Sequence, residues 1–131
     1  MIYNQKYTLN RDRESALEYL QNLQNKTSYK LRVLDVGGWH SLWASKFVTH
    51  VIDIHEVPAT NFYLGNINMP EVWQEIAEDV KQKGLFDFCI CTHTLEDIAN
   101  PRLAIERMPQ IAKEGYIAIP SKYNELRFNH R

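Results

Sequence analysis

Apolar and polar residues change rhythm several times along this chain, and each change predicts an element. After a polar opening arm, Asn10 is placed to cap a helix in which Ala16, Leu17, Leu20 and Leu23 recur at helical spacing, ending near Lys26. Leu31 to Val36 then reads as a short, largely apolar strand, closed by Gly37-Gly38, the strongest turn signal in the chain. A short helix from His40 or Ser41, with Trp43, Ala44, Phe47 and Val48 turned inward, leads to a second strand at His50 to Ile54. Phe62-Tyr63-Leu64 is a brief third strand ending at Gly65. Asn68 and Pro70 announce a helix with Val72, Ile76 and Val80 as its stripe, flanked by Trp73 and Ala77 and ended by Gly84.

Phe86 to Thr92, apolar along most of its length, is a fourth strand buried on both faces. Asn100-Pro101 caps the last helix, whose apolar side is Leu103, Ala104 and Met108. Pro109 lacks an amide hydrogen and crowds the preceding turn, so regular helix should stop or kink there. Gly115 to Pro120 is a fifth strand, and the polar tail from Ser121 carries only weak signals. Strands alternating with helices predict an α/β fold with a doubly wound, mainly parallel sheet and helices on both faces. Ligands of such sheets bind beyond the carboxyl ends of the strands, which sets Asp35 to Ser41 opposite Thr92 to Asp97.

Length and composition narrow the picture. A chain of 131 residues can enclose one core, so a single domain is expected over 1–131, with an arm and helix to 30, a core over 31–121 and a tail over 122–131. Hydrophobic residues are 44% and charged residues 24%, ordinary for globular proteins, and a formal net charge of -1 gives no general attraction for nucleic acid. No apolar run approaches the roughly 18 to 20 residues that cross a bilayer, and the polar start lacks the regions of a signal peptide. A cytoplasmic location without membrane attachment is therefore expected. Cys89 and Cys91, two apart on a strand, read as buried free thiols.

The chemistry concentrates in Val33 to Ser41. Glycines there let the backbone approach a ligand, and the next helix offers unpaired amides to an anion. Asp53, at the end of the second strand, can accept hydrogen bonds from two ribose hydroxyls. Gly37-Gly38 as a plain turn, and Asp35 or Asp53 as caps of backbone amides, are the alternatives. A dinucleotide would require the pattern G-x-G-x-x-G, but Trp39 and Ser41 stand where further glycines are needed, which disfavours a nicotinamide-dependent oxidoreductase. A ligand with a single carboxylate, such as S-adenosylmethionine, suits the turn better. His40, His50 and His55 show no short metal-ligand spacing, so no metal is expected. Arg127, His130 and Arg131 form a small basic cluster, a solvated end or a contact for an acidic substrate.

Over nearly all of Leu31 to Ser121 the order of features resembles the class I S-adenosylmethionine-dependent methyltransferases. Asp35-Val36-Gly37-Gly38 resembles the family's first motif, Val51 to His55 the segment with the ribose-binding acid, and Gly65-Asn66-Ile67 the segment bordering adenine, with Asn66 where Asp is commoner. Cys91 to Ile98 resembles the loop after the fourth strand, which in many members reads Ser-His-x-Leu-Glu-His, with Asp97 in place of the last His. The resemblance implies a Rossmann-like five-stranded sheet in the order 3-2-1-4-5. It implies S-adenosylmethionine held by Asp35, Gly37, Gly38, Trp39, Asp53, Ile54, Asn66, Ile67, Thr92, His93 and Leu95, and methyl transfer to an unidentified acceptor, a small molecule or one presented by a partner. His93 is the candidate catalytic base, oriented by Glu96 or Asp97; its alternative role is to order the loop. A non-catalytic binding or assembly module is the rival reading.

Family members commonly continue past the fifth strand with a helix and two strands that finish the sheet, whereas this chain ends near that point. Two outcomes are open. Either the tail from Lys122 substitutes for them, or the fifth strand is an open edge through which two copies pair as a homodimer.

Overall fold

The computed structural model describes residues 5–9, 13–37, 44–56, 61–92, 99–118 and 125–130. In chain order the elements are β1 (Gln5–Leu9), α1 (Arg13–Lys26), β2 (Val33–Val36), β3 (His50–Asp53), β4 (Phe62–Leu64), α2 (Pro70–Lys83), β5 (Phe88–Thr92), α3 (Pro101–Ile111), β6 (Glu114–Ala118) and β7 (Glu125–His130). All seven strands join one sheet in the order β1-β7-β6-β5-β2-β3-β4. Its five central and right-hand strands, β6-β5-β2-β3-β4, pair in parallel and reproduce the expected 3-2-1-4-5 order.

Alternation along the strands sorts side chains to two faces. Leu34, Val36, Ile52, Cys89, Cys91 and Ile117 meet α2 and α3 through Trp73, Ile76, Ala104 and Met108. Val33, Phe88, Ile90 and Tyr116 meet α1 through Ala16 and Leu20. Every position of β5 is buried, because strands and helices cover both its edges and faces. Both cysteines are buried and free, as their spacing suggested.

The structure corrects the ends of the chain. The opening arm supplies β1, and the tail supplies β7, which pairs antiparallel with β6 over Glu114↔Asn129 to Ala118↔Glu125. The edge through which a homodimer was expected is therefore occupied by the chain's own tail. β1 pairs antiparallel with β7 from Gln5↔His130 to Leu9↔Leu126, so it runs in the direction of β6. Phe128, fully buried, seats this addition: a Cβ built on Gly115 would lie 2.2 Å from its ring, so only glycine leaves the ring its place.

Local boundaries shift for identifiable reasons. Asn10 lies outside the described residues, and α1 is described from Arg13. His40 to Trp43 also lie outside them; Ala44 to Phe47 make a single turn in which the Phe47 and Val48 amides both donate to the Ala44 carbonyl, with Ala44 and Phe47 buried. α2 has Met69, not Asn68, at its cap position and no side-chain cap. α3 continues through Pro109 to Ile111, closed by the Ala112 amide on the Met108 carbonyl at 3.1 Å. Burial of Met108, Pro109 and Ile111 outweighs the one hydrogen bond that proline cannot make.

Candidate functional site

The two ends of the parallel strands are built differently. At the amino ends, buried Asp87 gathers the Tyr29 hydroxyl at 2.9 Å, the Arg32 amide at 2.9 Å and the Lys113 ammonium at 3.2 Å. Burial alone would lower the Lys113 pKa, but the hydrogen bond and charge of Asp87, with Tyr29, carry it above the ordinary lysine value. His50 faces Phe86 edge-on at 4.9 Å and shares a 2.8 Å hydrogen bond with Thr49, while the Tyr63 hydroxyl donates to Asp79 at 2.6 Å. Burial, then Asp79, raises the Tyr63 pKa, so that phenol stays protonated. These contacts tie the amino ends of the strands together.

There, parallel register sets the candidate residues side by side. Val36 pairs with Ile52, so Gly37 and Asp53 follow on adjacent strand ends, and the Gly37 amide donates to the Ile52 carbonyl at 2.8 Å. Gly37 has φ 67°, left-handed backbone that costs an L side chain about 1 kcal/mol or more. Asp53 pairs with Leu64 of β4, and the next residue, Gly65, donates its amide to the Asp53 carbonyl at 3.0 Å. Asn66 therefore sits one residue beyond that tie. On the other side Asp35 pairs with Ile90, which brings Thr92 to the level of Gly37.

Burial divides these residues by what each can do. Asp35 is 2% exposed and, by strand alternation, lies on the α1 side of β2. Thr92 is buried on the same side. Asp53 is half-buried; one carboxylate oxygen accepts from the His55 amide at 3.0 Å, which orients the group while its second oxygen remains outside that bond. Ile54, beside it, is 57% exposed, an apolar surface of the kind a base can cover. Asn66 is exposed, its Oδ1 accepting from the Asn68 amide at 2.9 Å. Ile67 is buried in the core, and its carbonyl accepts from the Trp73 indole at 3.0 Å. The Cys89 thiol is pushed well up by burial, then by Cys91 and Asp35, which keeps it a neutral core group. Gly38, Trp39, His93 and Leu95 lie outside the described residues, as do Glu96 and Asp97.

Turns, an acid and an exposed apolar residue thus meet at the carboxyl ends of β2, β3 and β4. Neither a protein-family model nor a curated protein matches this sequence. Among solved structures, the chain superposes on the MycE methyltransferase of the mycinamycin biosynthetic pathway, solved with Mg and SAH, with a TM-score of 0.52 and 18% identity. The fold is that of the class I methyltransferases. The chain also superposes on WbdD with a TM-score of 0.53 and 22% identity. The matches cover 83% and 82% of this chain but 33% and 28% of the neighbours, so the chain spans about a third of their length.

Of the residues that the sequence singled out, the structure brings Gly37, Asp53 and Asn66 to neighbouring strand ends. Sequence reasoning missed Asn100 as a partner of Asn68, whose side chain accepts from the Asn100 amide at 2.8 Å. The repeated Asn66-Ile67-Asn68 was a signal, since asparagines favour side-chain bonds to nearby backbone, but it named no distant partner. Among the described residues no helix is long and apolar enough to cross a membrane.

Proposed function

We propose that this chain is an S-adenosylmethionine-dependent methyltransferase acting on a small-molecule acceptor, with its cofactor at the carboxyl ends of β2, β3 and β4. The observation that carries this reading is the register that sets the left-handed Gly37, the oriented Asp53 carboxylate and Asn66 on three adjacent strand ends. Asp53 offers its second oxygen to ribose hydroxyls, Ile54 an apolar face to the base, and Asn66 an amide to the base edge. The cofactor supplies an already activated methyl group on a sulfonium. The protein's part is then chiefly to hold an acceptor atom in line with that group, which in well-oriented cases lowers the barrier by about 7 to 11 kcal/mol.

His93 follows Thr92 directly and is the base in this reading for an acceptor that arrives protonated, histidine being the side-chain type that ordinarily exchanges protons nearest neutrality. Two free, buried thiols suit a reducing compartment, and the reading places the protein in the cytoplasm. Calorimetric titration with S-adenosylhomocysteine tests the cofactor. Saturable binding is expected, and no heat with either S-adenosylhomocysteine or S-adenosylmethionine would remove the reading. Binding without transfer of a labelled methyl group to any small-molecule fraction would leave a non-catalytic binding module instead.

A further inference from the structure

A run of hydrogen bonds leads from the candidate site to the start of α3. The Gly65 amide donates to the Asp53 carbonyl at 3.0 Å, and the Asn68 amide to Asn66 Oδ1 at 2.9 Å. The Asn100 amide donates to Asn68 Oδ1 at 2.8 Å, and the Leu103 amide to Asn100 Oδ1 at 3.3 Å, which caps α3. Asn68 is the residue whose placement is unexpected. It stands just before α2, where asparagine could cap that helix and contribute about 1 kcal/mol, yet its side chain reaches across to Asn100 and α2 begins without a side-chain cap.

We infer that Asn68 is a positioning residue that links the loop bearing Asn66 to the amino end of α3, so that ligand binding at Asn66 and ordering of the first turn of α3 reinforce each other. The ligand in this inference is the one proposed above, and the inference rests on that reading. Each asparagine is used twice: Asn66 as a candidate contact and an acceptor for Asn68, Asn68 as a donor through its backbone and an acceptor through its side chain, and Asn100 likewise. A shift of one therefore moves the next. The consequence for chemistry follows from chain connectivity. The stretch carrying His93 and Leu95 leaves β5 at Thr92 and returns at Ala99-Asn100, so Asn68 fixes the point of return. Coupling of this kind is reciprocal: whatever orders α3 through Asn68 must also strengthen binding beside Asn66.

Hydrogen exchange on the full chain, read at single amides with and without S-adenosylhomocysteine, tests the link. In the free protein, Asn68→Ala should speed exchange at the Asn100 amide by roughly 2- to 12-fold, the range for losing one ordinary hydrogen bond. Asn68→Asp, which keeps an acceptor at that position, should restore the slow rate. Ligand should slow Asn100 and Leu103 in the native chain and in Asn68→Asp, but not in Asn68→Ala, while the Asn68 amide is still slowed in all three. Exchange at Asn100 indifferent to Asn68→Ala, or ligand protection of Asn100 undiminished in that variant, would overturn the link. Failure of the native chain to bind the ligand would instead overturn the functional reading and the ligand coupling with it, while Asn100 exchange in the free protein still judges the Asn68 contact.

Discussion

His50 and Asp53 open and close the same four-residue strand, yet they face different problems. Asp53 stands at the carboxyl end with one oxygen tied to the His55 amide. Asp53→Ala should weaken binding of S-adenosylhomocysteine by about 1 to 3 kcal/mol, the worth of hydrogen bonds to a charged acceptor, with thermal stability little changed. Equal affinities by calorimetry would reject the ribose-binding role. His50 stands at the amino end, half-buried, with Arg32 and Lys83 opposing its positive form and Asp79 favouring it. Burial, then the two cations, holds its pKa below the ordinary 6.5. The unfolded chain therefore takes up a proton at higher pH than the folded one. The stability this site contributes is complete above about pH 6.5 and is lost as pH falls through the lower folded value. Urea unfolding from about pH 7 to about pH 5 should show the native midpoint falling more steeply than that of His50→Gln; parallel curves would exclude His50 as the source.

At the scale of elements, the central strands and α2 were legible because their signals are local and redundant. β5 is an apolar run, β2 ends in glycines, and α2 ends at Gly84 with φ 88°. The misread features are those in which a distant partner decides. Pro109 sits in the last turn of α3, where burial beside Met108 and Ile111 keeps the helix going. Leu126 and Phe128 alternate with polar residues in β7, a two-residue pattern too short to tell a strand from a loop until Gly115 makes room for the Phe128 ring. That docking carries a prediction. Phe128→Ala should cost about 3 to 5 kcal/mol, as large aromatic truncations in cores do, and should loosen β1 as well, because β1 enters the sheet through β7. Denaturant titration measures the first effect, and limited proteolysis near the amino terminus the second. A loss below about 1 kcal/mol would mean that β7 is not anchored by this ring.

For the whole molecule, the sequence by itself determined the alternation of strands and helices, the turn at Gly37 and the acid at Asp53, because each depends on residues close together in the chain. From these follow a parallel sheet and the end of it at which ligands of such sheets ordinarily bind. The asparagine pairing across the site was only half visible, as two neighbouring residues without a third. Tertiary structure alone decided how the sheet finishes. Two added strands come from opposite ends of the chain, with Gln5 opposite His130. No local pattern encodes such a contact, because backbone hydrogen-bonding groups are the same at every residue and pairing is chosen by which edge stays open once the core has closed. β6 left that edge, Gly115 left room for Phe128, and the tail and the arm filled it in turn.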